Sequence, residues 1–222
     1  MMVKTTAINS SIRQQEIVDC ARRIISSKGI ENLTIREIAN ELKVTDGALY
    51  RHFKSKKEII SLLINDIERT LLTTITAAAQ KSDEPAKKLE NIFSSHISYS
   101  EQRKGVSFIV INETLNLKDR NLQQKMFNVI RKYLKKIRQI LTEGVQAGNF
   151  RKDINLHSSS IVFFGMVQSL VTLWALSGFK YTLKKTRQIK EIFEIYKRGL
   201  FIVFCTKLFK IAIPCFLIHW KS

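Results

Sequence analysis

Residues 34–60, TIREIANELKVTDGALYRHFKSKKEII, fit three helical segments and two abrupt joints into one short stretch, which leaves the backbone few ways to run. Ile35, Ile38, Ala39 and Leu42 recur at i, i+3, i+4 and i+7, so they share one stripe of a helix. Thr34 and Glu37 stand at the spacing of a capping box, in which the hydroxyl accepts from the Glu37 amide and the carboxylate reaches back to the Thr34 amide. Ala39 is small enough for a following helix to cross close by. Past Lys43 and Val44, Thr45 caps a second helix that turns Leu49 and Phe53 inward and Asp46, Gly47, Ala48, Tyr50 and His52 outward. Ser55 and Glu58 repeat the capping-box spacing and start a third helix at Lys56.

This is helix-turn-helix geometry, with the second helix offered to a major groove and the amino end at Lys56 suited to a phosphate. A plain three-helix lump, with Tyr50 and Phe53 as core, is the other reading of the same residues. Two caps, a phased apolar stripe and a polar outer face on one short helix favour the first.

The rest of the chain is helical by the same periodicity. Only 2 prolines and 8 glycines interrupt 222 residues, 45% of them hydrophobic, and strand signals are sparse, so an all-α fold with one or two domains is expected. A first helix runs from about Ser11 to Lys28 and stops at Gly29. A long helix from Lys56 buries Ile59, Leu63, Ile67, Leu71 and Ile75 and links two domains. Further helices are expected over 86–103, up to Leu115, over 119–147 and over 154–179.

The 34–60 block resembles the DNA-binding domain of the TetR/AcrR family of bacterial transcriptional regulators. The mark of that family is a tyrosine, a basic residue, a histidine and a phenylalanine at the end of the recognition helix, and Tyr50-Arg51-His52-Phe53 stands here. Lys43 departs from the glycine that many members carry in the joint, where a positive φ costs a lysine about 1 kcal/mol. The resemblance covers residues 10–60 and beyond residue 70 rests on helix count and order. It implies that Thr34, Arg36, Thr45, Asp46, Gly47, Tyr50, His52 and Lys56 face DNA, mostly its phosphates. It also implies a homodimer on a palindromic double-stranded operator, acting as a repressor that a small-molecule effector releases. The expected division is a helix-turn-helix domain over 10–70, with the motif at 34–53, a helical ligand-binding and dimerisation domain over 71–206, and an atypical apolar tail over 207–222.

By the same resemblance the effector pocket lies among the helices between residues 60 and 175, with Phe93, His96, Phe108, Asn112, Phe164, Gln168 and Trp174 as candidates. Any one of the aromatics is more simply core. His96, Asn112 and Gln168 carry more weight, because a buried polar group needs a partner and a ligand is one. An apolar cavity with basic surroundings suits an amphiphilic anion, such as an acyl chain with an acidic head, or a hydrophobic drug. Gly165, Ser169, Thr172, Ile192 and Tyr196 are the candidates for the dimer interface, the first two because small residues four apart let helices approach.

The net charge of +18 tempts one to read the whole surface as a nucleic-acid footprint. Its distribution argues otherwise: residues 1–54 carry 9 basic and 6 acidic groups, 55–85 carry 4 and 5, and 86–222 carry 24 and 8. Most of the excess lies where it can steer but not read bases. A basic face on the helix around 125–138, with Arg131, Lys132, Lys135, Lys136 and Arg138, is ordinarily a solvated one. Cys20, Cys205 and Cys215 show no metal or disulfide spacing, and with no secretion signal a cytoplasmic protein is expected. Residues 154–179 hold no charge over 26 positions, long enough for a bilayer, but their polar interruptions argue against a span, the resemblance implies a buried dimer helix there, and no stable membrane insertion is expected. His52, His96, His157 and His219 are scattered, no phosphate loop or nucleophile elbow is present, and neither an enzyme nor a metal or other cofactor is expected. The rival of a different class is a helical adaptor or membrane-associated binding protein that uses the basic helix 125–138 and the apolar tail.

Overall fold

A computed structural model describes residues 3–51, 53–185 and 187–201, with side chains from Gln14 onward except that of Lys184. Among them run α1 (Val3–Lys28), α2 (Ile35–Leu42), α3 (Asp46–Tyr50), α4 (Lys56–Ala79), α5 (Pro85–Gln102), α6 (Val106–Asn116), α7 (Arg120–Gln146), α8 (Leu156–Leu176) and α9 (Arg187–Leu200), and no strand. The first helix starts eight residues before the expected Ser11. A 3₁₀ turn over Leu183–Lys185 precedes α9, which the periodicity did not signal. His52, Cys205, Cys215, His219 and the tail 207–222 lie outside the described residues.

The small amino-terminal unit is built on one face of α1. Ile17, Cys20, Ala21 and Ile24 pack against Ile35, Ile38, Ala39, Leu49 and Phe53, and Ile59, Ile60 and Leu63 of α4 close the core. Burial raises the Cys20 thiol above its ordinary range, so it is an inert core group. Lys43 takes the left-handed conformation at φ 54°, and its amide and that of Val44 close α2 on Asn40 and Ala39. The strained lysine is the joint that swings the chain into α3.

α4 belongs to both units. Its row Ile59, Leu63, Ile67, Leu71 and Ile75 is buried along the whole length, first against α1 and then against α5 and α7. The larger unit is a helical bundle in which α5, α7 and α8 contribute Phe93, Ile97, Tyr133, Ile137, Phe163 and Val167 to a common core. Gly144 lets α7 touch the chain that follows it: a Cβ there would sit 2.1 Å from the buried Phe150 ring. α8 is long and apolar enough to cross a bilayer by length and composition, but five of its large side chains, Phe163, Val167, Leu170, Val171 and Trp174, are spent on the bundle core.

Charged side chains stitch the outer face of α4 to α6 and α7. Lys56 Nζ lies 2.9 Å from Glu113 Oε1, Lys57 Nζ 2.9 Å from Asp119 Oδ2, and Lys125 Nζ 2.6 Å from Ser61 Oγ, while Lys132 pairs with Glu68. Part of the basic face of α7 is thereby consumed in holding helices together. A second tie is buried. The Asp66 carboxylate, 5% exposed, accepts from Arg22 of α1 at 2.9 Å, Arg69 of α4 at 2.8 Å and Arg103 after α5 at 2.9 Å. A carboxylate taken out of water needs such partners, and here they join both units.

Candidate nucleic-acid interface

The α2–α3 pair presents a polar surface because its apolar residues are already used. Thr34 Oγ1 accepts from the Glu37 amide at 3.0 Å and Thr45 Oγ1 from the Ala48 amide at 3.3 Å, so both caps form. Of the two expected capping boxes, that of Thr34 and Glu37 is half made and that of Ser55 and Glu58 does not form. The Glu37 carboxylate turns to Lys28, whose Nζ lies 2.6 Å away and bridges on to Glu41 at 2.8 Å. Ser55 makes no side-chain cap, and Glu58 accepts from the Lys54 amide instead. In both cases a nearby cation or a neighbouring amide competes for the carboxylate, which spacing alone does not reveal.

Thr34, Arg36, Thr45, Asp46 and Gly47 are exposed together on this surface, and Tyr50 is 52% exposed beside them. A Cβ on Gly47 would meet nothing within 4 Å, so the surface there is open for close backbone approach. α3 itself spans five residues, and the chain continues its turn through the Phe53 amide, which donates to Leu49 at 2.8 Å. Lys56 departs from this group. Its ammonium turns into the protein, donating to the Ile30 carbonyl at 2.9 Å as well as pairing with Glu113. Glu113 is 9% exposed, and a carboxylate so placed draws in the nearest cation.

The candidates for an effector pocket fall into two groups. His96 and Phe164 meet through Tyr133: His96 Nδ1 lies 3.0 Å from the Tyr133 hydroxyl and Phe164 packs on Tyr133 at 5.4 Å, while Phe93 stacks on Phe193 at 5.4 Å and edges Phe163 at 6.0 Å. Burial holds the His96 imidazole neutral, with its pKa lowered to about 3, and pushes the Tyr133 hydroxyl well up. The buried histidine thus has a protein partner. Trp174 stands apart, with its indole N–H donating to the Tyr181 carbonyl at 2.7 Å and its ring on Phe179 at 4.7 Å. Phe108 and Gln168 are half-buried, and Asn112 is exposed and donates to the Phe108 carbonyl, so the expectation of a buried amide there is corrected.

The dimer candidates also divide. Gly165, Ser169 and Thr172 lie on the outer side of α8, where Ile161 (46%), Val162 (53%), Leu173 (61%) and Leu176 (80%) are exposed. Ile192 is half-buried on α9, while Ile195 beside it is 71% exposed. Tyr196 faces the other way: it is 8% exposed, packs on Phe163 at 5.5 Å and donates to the Ser159 carbonyl at 3.0 Å. Sequence reasoning missed Ile195 and the second apolar stripe of α8, which a count of positions 162, 165, 169, 173 and 176 at helical spacing exposes.

The family model described as bacterial regulatory proteins of the tetR family matches residues 17–63, the α1–α4 unit that carries this surface. A second model, the C-terminal region of YsiA-like protein in the TetR series, matches residues 65–199.

The chain belongs to the TetR family of bacterial regulatory proteins.

It is 27% identical over 173 residues to the fatty acid metabolism regulator protein of Bacillus subtilis, covering 77% of this chain and 88% of that protein. The nucleoid occlusion factor SlmA of Serratia proteamaculans is 26% identical over 182 residues, 81% of this chain and 91% of that protein. Among solved structures, the transcriptional regulator FadR from Bacillus subtilis in complex with stearoyl-CoA superposes with a TM-score of 0.70 at 25% identity, over 84% of this chain and 98% of that one. This TetR-family chain is therefore a DNA-binding transcriptional regulator of the ligand-responsive kind.

Proposed function

We propose that this TetR-family repressor grips each half of a twofold operator with Thr34, Arg36, Thr45, Asp46, Gly47 and Tyr50, and leaves DNA when a long-chain fatty acyl thioester binds residues 71–206. The observation that carries the reading is the union, in one chain, of an open polar α2–α3 surface with a helical bundle that superposes on a regulator in complex with stearoyl-CoA. Two copies meet through the apolar side of α8 and Ile195 of α9, which sets two α3 helices on one face of B-DNA, about 34 Å apart. The protein acts in the cytoplasm and catalyses no reaction.

The bundle interior is closed by buried rings, Phe93 on Phe163 and His96 on Tyr133, so an acyl tail that enters it displaces side chains and shifts α5, α6 or α8. That displacement makes an effector prefer a second arrangement of the helices, and differential binding of this sort is what moves an equilibrium.

Selection of bound sequences from random duplex DNA tests the first half: a palindrome with half-sites one helical turn apart is expected, and enrichment of no twofold site would sink it. Mobility shift on the selected operator tests the second. Stearoyl-CoA should release the protein, and its failure to do so at concentrations that saturate binding would exclude this effector class.

A further inference from the structure

A cleft of about 510 Å³ opens where α1 meets the end of α5, and its walls carry four cations. Arg22 and Arg23 come from α1, Arg103 and Lys104 from the junction that leads into α6, and Asp19 is the one carboxylate on the wall. The two inner guanidiniums are fixed: Nη1 of Arg22 and Nη1 of Arg103 each donate at 2.9 Å to the same Asp66 oxygen. The two outer cations, Arg23 and Lys104, are exposed and form no ion pair among the described residues. Burial, and next the neighbouring Arg103, lower the pKa of Arg22. Next to Lys104, a Cβ on Gly105 (φ 68°) would meet Val171 at 3.6 Å and Phe179 at 3.7 Å, the latter packed on Trp174. A polar, cationic mouth thus adjoins an apolar wall.

We infer that this cleft receives the phosphate-bearing nucleotide head of the acyl thioester, with Arg23 and Lys104 as the contacts it recruits and Arg22 and Arg103 as the fixed floor. The inference rests on the acyl-thioester reading above and deepens it. Fatty acid alone carries one carboxylate, whereas the head carries several phosphate charges; Asp66 and Asp19 already pair with Arg22 and Arg103, and the two cations left over, Arg23 and Lys104, match the latter. The tail then runs past Gly105 toward Trp174 and Phe179. The position also explains coupling: Arg22 and Arg23 belong to the DNA-reading unit and Arg103 and Lys104 to the bundle, so one bound head grips both and fixes their relative angle. DNA phosphate is the other source of such charge, and it is excluded by omitting DNA from the assay.

The test titrates stearoyl-CoA, coenzyme A and stearate into the full chain, without DNA, for wild type and for Arg23→Ala/Lys104→Ala. Both substituted side chains are exposed and unpaired, so melting should be unchanged. Expected is a loss of roughly 10- to 100-fold in stearoyl-CoA affinity and a parallel loss for coenzyme A, from two charge-assisted contacts, with stearate unaffected. Equal stearoyl-CoA affinity in wild type and variant overturns the cleft while leaving the effector class standing. A wild type that binds stearate as tightly as stearoyl-CoA also overturns it. A wild type that binds none of the three overturns the effector class and this inference together.

Discussion

Replacing Glu113 by Gln should tighten operator binding. Lys56 stands at the first position of α4, where its ammonium could meet a phosphate, yet it is held 2.9 Å from Glu113 Oε1 and 2.9 Å from the Ile30 carbonyl. To serve DNA it must leave both. The two side chains of the pair are 29% and 11% exposed, so solvent screens the contact only in part. A charge-assisted hydrogen bond contributes about 1.5–3 kcal/mol net, and partial exposure lowers that to about 1–2 kcal/mol. Glutamine keeps an acceptor but removes the charge, so release of Lys56 becomes easier by that amount, a factor of roughly 5–30 in operator affinity. Fluorescence anisotropy with a labelled operator across a salt series measures it. The plot of log affinity against log salt should also steepen by about 0.9, because one more phosphate is neutralised. A Lys56→Ala background supplies the control, in which Glu113→Gln gains nothing. An unchanged affinity and slope in Glu113→Gln, or an equal gain with Lys56 absent, would refute the idea that this pair withholds the lysine from DNA.

Placing charge on the outer side of the bundle, Leu173→Arg with Ile195→Asp, should give a monomer by light scattering and abolish binding to a twofold site, since both side chains are more than half exposed and leave the fold intact; a persistent dimer would assign the interface elsewhere. His96, with a folded pKa of about 3 against an ordinary 6.5, stays neutral in the folded protein while the unfolded chain takes a proton, so stability falls as pH drops below 6.5. Between pH 6.5 and pH 5 this amounts to about 1.5 kcal/mol by chemical denaturation, and a His96→Gln variant with the same pH dependence as wild type would contradict it.

Local chemistry carried most of what the sequence made legible. The α2 stripe, the Thr34 and Thr45 caps, the positive φ of Lys43 and the Gly29 stop follow from interactions within a few residues, and each stands in the structure. The five-residue row along α4 was equally plain, because a buried helix edge repeats strictly. What stayed hidden depends on partners far away in the chain. No spacing rule ties Lys56 to Glu113, or Asp66 to Arg22 and Arg103 across 44 and 37 positions. Tyr196 and Ile195 differ by one residue, about 100° around a helix, and only the packing of Phe163 and Phe193 shows which faces in. For the same reason Asn112 could not be told from a buried amide.

The two kinds of contact also decide how the molecule can move. Within the small unit, Ile17, Ile24, Ile38, Ile59 and Leu63 are nearly fully buried, and parting any of them from its neighbours costs several kcal/mol. Between the units, α1 meets the bundle largely through Arg22, Arg103 and Asp66, and α6 meets α4 through Lys56 and Glu113. The Lys56–Glu113 pair is weakened where water reaches it, whereas the buried Asp66 carboxylate resists parting from Arg22 and Arg103 and acts as the hinge point between the units. A rigid reading head on charged ties is therefore free to rotate within the few kcal/mol that one ligand supplies, while its own fold does not change. The backbone offers the pivot in the same place: Lys104 at φ 46° and Gly105 at φ 68° form the link from α5 to α6, the helix that carries Glu113. A shift of α6 is then felt at Lys56 and at Arg103 at once, which joins occupancy of the bundle to the charge that the small unit can offer to DNA.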